Sequence, residues 1–145
     1  MNTTNLSARP PRSPRVRLGG YAVLPRLLDK ARGTAAGQAG DYKFNSLLDS
    51  LFFGFTGIDA GALLERVKAG AGDADILAWV QENTAKTSQQ ILEWSEGAEK
   101  FVLTDPGSCE WFAEELQRLD PRRTDVQTVF EYLDLDDYLH FGGAK

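Results

Sequence analysis

A chain of 145 residues and 16.0 kDa has the size of a single domain, and 42% apolar residues supply one core while the 26% charged fraction is too ordinary for a disordered chain. Apolar runs such as Leu51 to Phe53 fall far short of the roughly 20 residues that cross a bilayer, so no membrane role is expected. The formal net charge of −5 is unevenly placed: residues 1–34 hold seven basic side chains and one acidic, the remainder nine basic and twenty acidic.

An acidic body repels nucleic acid, which is therefore not expected as a partner. The basic opening is expected to lie on its own acidic body or in solvent. The N-terminus, rich in Asn, Thr, Arg and Pro, has no apolar stretch of the secretory kind, and Cys109 is the only cysteine. Both features predict a cytoplasmic protein without an intrachain disulfide.

Pro10, Pro11 and Pro14 lack backbone donors, so residues 1–14 are expected to form an extended basic arm and residues 15–145 one helical domain. Gly19-Gly20 marks a turn. Leu24, Leu27, Leu28 and Ala31 then recur at helical spacing, with Pro25 tolerable only near the start. After a flexible stretch from Gly33 to Gly40, the run Phe44, Leu47, Leu48, Leu51, Phe52 and Phe55 predicts the central helix, capped by Asn45.

Asp59 caps a third helix that ends at Gly70, and Asp73 opens a fourth. Thr87 and Gln90 have capping-box spacing ahead of Ile91, Trp94, Ala98 and Phe101. Asp105-Pro106 starts a sixth helix, and Thr124 with Gln127 a seventh, followed by an acidic turn from Asp134 to Asp137. Residues 100–104 read as a short extended connection. The fold class is all-α, a compact array of six to seven short helices.

Reactive constellations are scarce. Asp134, Asp136, Asp137 and Glu131 cluster, but without the glycine and closing glutamate of a calcium loop, so no metal and no cofactor are expected. His140 is the sole histidine, which excludes two-histidine zinc sites and leaves a Cys109–His140 pair as the only thiol-imidazole option. Gly-x-Ser-x-Gly and phosphate-loop spacings are missing. Trp79, Trp94 and Trp111 fall at the centre or boundary of apolar stripes, which assigns them to the core, or to an interface where exposed.

Arg26 and Lys30 stand one turn apart, almost opposite the leucine face of their helix. They read as a solvated face or, together with Arg15 or Arg17, as a holder for an anion.

The runs Ser13-Pro14-Arg15, Leu18-Gly19-Gly20-Tyr21 and Leu24-Pro25-Arg26-Leu27-Leu28-Asp29-Lys30-Ala31-Arg32 resemble the opening of a bacterial family known as domain of unknown function 5069. Phe53 to Asp59, and Asp73 followed by Trp79, resemble it further along. The resemblance implies a bacterial, cytoplasmic, single-domain protein and carries no activity with it.

Two functions follow as expectations. The first is a non-catalytic helical module that engages another protein, or a second copy of itself, through exposed aromatic and acidic surface. The second is a small-molecule or anion site, even an enzyme, in which Arg15, Arg26, Lys30, Tyr42 and Asp49 meet.

Overall fold

Helix boundaries follow local punctuation. The computed structural model describes residues 4–145 and contains seven helices: α1 Leu24–Ala35, α2 Leu47–Thr56, α3 Ala60–Lys68, α4 Asp73–Glu82, α5 Ser88–Glu99, α6 Pro106–Leu119 and α7 Val129–His140. Among the described residues there is no strand, only an isolated antiparallel bridge between Leu18 and Tyr21. The array is all-α, as its sequence periodicity requires. No single helix among the described residues is long and apolar enough to cross a membrane.

Several caps stand where local chemistry places them. Asp59 accepts from the Ala62 N–H at 2.9 Å, Asp105 from Ser108 at 2.9 Å, and Thr87 exchanges hydrogen bonds with Gln90. Four expectations are corrected. Gly33 belongs to α1 instead of opening a loop, because it packs closely against the buried Leu6. The N-cap of α2 is Ser46, whose N–H is held by Asp49, while Asn45 sits before it at φ 64°. The last capping box is Thr128 with Glu131, one turn later than Thr124 with Gln127, and the Asp134–Asp137 run is helical.

The main core gathers around α1. Leu24, Leu27 and Leu28 pack with Tyr21, Phe52, Leu63, Ile76, Val80 and Phe130, all fully buried. α1 is apolar on more than one side because α2, α3 and the preceding loop surround it. A smaller cluster of Leu119, Val126, Tyr132 and Leu135 joins α6 to α7.

Residues 4–17 run across these helices. Leu6 is buried and its N–H bonds to the Gln38 carbonyl at 2.8 Å, while Arg12 pairs with Asp29 and Asp73, Arg15 with Asp134, and Arg17 with Glu99. Val23, the residue ahead of α1, adopts φ 74°, a costly conformation for a β-branched side chain. Full burial and an N–H bond to the Pro14 carbonyl at 2.9 Å hold it there. The first turn of α1 is thereby fixed in place, and with it Arg26.

Candidate functional site

A cavity of about 290 Å³ opens where α1, the 41–46 loop, the start of α2, and the facing sides of α6 and α7 meet. α1 contributes Arg26 and Lys30, one turn apart. The loop brings Asp41, Tyr42, Lys43 and Ser46, α2 brings Leu48 and Asp49, and α6 brings Trp111. Tyr132, Leu133, Asp136 and His140 share one face of α7 by their three- and four-residue spacing.

The floor is built from two ion pairs. Arg26, 3% exposed, lies 2.8 Å from Asp137 and also donates to the Arg12 carbonyl at 3.3 Å. The Tyr42 hydroxyl donates to the same carboxylate at 2.6 Å, and the Arg26 guanidinium covers the Tyr42 ring at 5.5 Å. Burial, reinforced by the hydrogen bond to Asp137, pushes the Tyr42 phenol far above its ordinary range and keeps it a neutral donor.

The second pair is Lys30 with Asp49, 2.8 Å apart, at 5% and 0% exposure. Lys30 also donates to Ser46 Oγ at 2.9 Å. Burial lowers the Lys30 ammonium from its ordinary range, with Asp49 opposing the shift. Asp49 Oδ2 serves both Lys30 and the Ser46 N–H, whereas Oδ1 is buried without a hydrogen-bond partner. At α7, burial and then the neighbouring Asp137 raise Asp136 above the usual carboxylate range.

Four of the five residues predicted for a ligand site, Arg26, Lys30, Tyr42 and Asp49, line this one cavity. Arg15 does not; it lies in a separate surface cleft, paired with Asp134 and stacked 5.9 Å from the Phe130 ring. The solvated-face reading of Arg26 and Lys30 is corrected, since both are buried, Arg26 among Tyr42, Asp137 and the Arg12 carbonyl and Lys30 against Ser46 and Asp49. Trp111, assigned to the core by its stripe, is 48% exposed at the rim, its ring edge-on to Tyr132 at 5.6 Å. Cys109 is exposed and bonds through Sγ to the Leu103 carbonyl.

The sequence reading placed Asp137 in an acidic cluster and not beside Arg26, although a signal for its burial exists: it follows the core residue Phe130 by seven positions and therefore shares its inward face. Tyr132 carries no such mark. Among the described residues no group of three or more His, Cys, Asp or Glu side chains is placed to hold a metal ion.

The family profile described as domain of unknown function (DUF5069) matches residues 8–139. The chain belongs to this family. No curated protein matches it. Every residue of the cavity floor and α7 up to Leu139 falls inside the matched span, and His140 just beyond it.

Proposed function

We propose that this DUF5069 member is a small-molecule-binding domain whose ligand occupies the cavity between α1, α2, α6 and α7. The observation that carries it is the convergence of Arg26, Lys30, Tyr42 and Asp49, from three separate stretches of chain, on one concavity faced by an exposed tryptophan. Ligand sites combine an apolar wall with a few fixed polar groups, and this cavity has both. A bacterial cytoplasmic setting suits the single, exposed thiol of Cys109.

The alternative of a non-catalytic protein-docking module draws support from exposed Leu92, Val102 and Tyr138. It ranks second because Trp111, its strongest anchor, is already accounted for at the cavity rim. An enzymatic role has less support: Ser46 Oγ contacts Lys30, but the Lys30 nitrogen is also engaged by Asp49 at 2.8 Å.

A thermal-shift screen of the full chain against neutral, anionic and cationic metabolites tests the proposal. A ligand at 100 times its Kd stabilises by about 2.7 kcal/mol, well within detection. A hit whose shift disappears in Trp111→Ala supports the pocket; an absence of hits in every class removes it.

A further inference from the structure

We propose that the cavity takes a neutral, polyhydroxylated ligand of about monosaccharide size, an inference that rests on the pocket reading above. Both buried cations already face carboxylates, Arg26 on Asp137 and Lys30 on Asp49, each at 2.8 Å. An anion has to compete with those carboxylates for the same donors. The lining as a whole is balanced, with Arg26, Lys30 and Lys43 against Asp41, Asp49 and Asp136, so a cation gains no net attraction. A neutral ligand meets neither handicap.

Hydrogen bonding at the floor is incomplete. Asp49, one of the residues lining the cavity, has its Oδ1 buried with no donor, a state that a hydroxyl would relieve. Lys30 serves two acceptors, Ser46 Oγ and Asp49 Oδ2, with three donors. An acceptor and a donor therefore stand side by side. Hydroxyls both donate and accept, so two neighbouring ones satisfy the carboxylate and the ammonium together once the floor parts to admit them.

The opposite wall is aromatic and apolar. Trp111, half-exposed, presents its ring at the mouth, with the buried Tyr132 ring edge-on behind it and Leu133 beside them, a surface suited to the C–H face of a sugar or cyclitol ring. The volume of about 290 Å³ is at the lower end of ligand pockets and admits one such ring.

The test is a two-dimensional NMR titration of the full chain with methyl glucoside and myo-inositol as neutral probes, glucose-6-phosphate as anion, glucosamine as cation and adenine as a flat base. The neutral polyols are expected to bind at millimolar concentrations and shift the Trp111 indole N–H and the Tyr42 and His140 amides. Adding the phosphate or amine should leave the affinity unchanged or weaken it. Asp49→Asn should weaken the polyols about tenfold or more. Because that change also strips Lys30 of its counterion, Trp111→Ala at an exposed position serves as a second variant with the same expected loss, and Trp111→Phe should recover most of it.

Neutral polyols that leave the spectrum unchanged overturn the inference. So do preferential binding of glucose-6-phosphate, glucosamine or adenine, and polyol affinities unaltered in both Asp49→Asn and Trp111→Ala. Charged-probe or adenine binding at Trp111 would leave the pocket reading standing, whereas an empty metabolite screen would remove both.

Discussion

The Lys30–Asp49 pair concentrates the energetic consequences of the cavity floor. Removing one partner leaves the other charge buried without a counterion, which costs about 3–5 kcal/mol, whereas replacing both with apolar residues of similar volume is often neutral. Asp49→Leu alone is therefore expected to lower the urea-unfolding free energy by that amount. The double variant Lys30→Met with Asp49→Leu should recover most of it, and a double-mutant cycle reads the difference. Asp136 makes a separate prediction through its pH dependence. Its carboxyl is raised above the usual range by burial and then by Asp137, so on acidification the folded chain takes up this proton before the unfolded chain does. Asp136 thus lowers stability at neutral pH. That deficit disappears as pH falls through its raised value. Asp136→Asn should be more stable than the native chain at pH 7, and the gap should close on acidification when thermal midpoints are compared across pH.

At the scale of elements, α5 and the turn that precedes α1 are tied through one hydroxyl. Ser95 Oγ accepts from the buried Ala22 N–H at 2.9 Å and donates to the Gly20 carbonyl at 2.6 Å. Ser95→Ala leaves that amide unsatisfied and should cost about 1–3 kcal/mol in chemical denaturation. α7 presents Tyr132, Asp136 and His140 to the cavity and depends on its cap. Thr128→Ala removes the acceptor for the Glu131 N–H and should cost about 1 kcal/mol, with hydrogen exchange accelerating at the first turn of α7. The caps at Asp59, Thr87 and Asp105 were legible because each stands alone before an apolar stripe. Thr124–Gln127 and Thr128–Glu131 are equivalent in local chemistry. Tertiary contact chooses between them: the Val129 N–H bonds to the Phe101 carbonyl at 3.1 Å, and Val126 is drawn into the cluster between α6 and α7.

At the scale of the whole molecule, residues 4–17 act as a strap across four helices. Leu6 packs against Gly33 of α1, and Arg12, Arg15 and Arg17 reach carboxylates on α1, α4, α5 and α7. The exposed ion pairs contribute little individually, so the apolar contact dominates. Leu6→Ala is expected to cost about 2–3 kcal/mol, and limited proteolysis should then cut before Arg17 sooner than in the native chain. The same segment anchors Val23 through Pro14, so loosening it should also disturb Arg26 and the cavity.

The sequence alone determined the helical class, the number of helices to within one and most of their starts, because helix periodicity and capping act over three or four residues. It also selected Arg26, Lys30, Tyr42 and Asp49 as groups of interest. Only the tertiary structure decided that the first two are buried, that Asp137 completes the Arg26 site, and that Arg15 belongs elsewhere. Those outcomes depend on which segment folds over α1 and which face α7 turns inward. A residue's neighbours in sequence do not encode either choice, since burial is a property of the assembled surfaces and the charge pairs form between positions 19 to 111 residues apart.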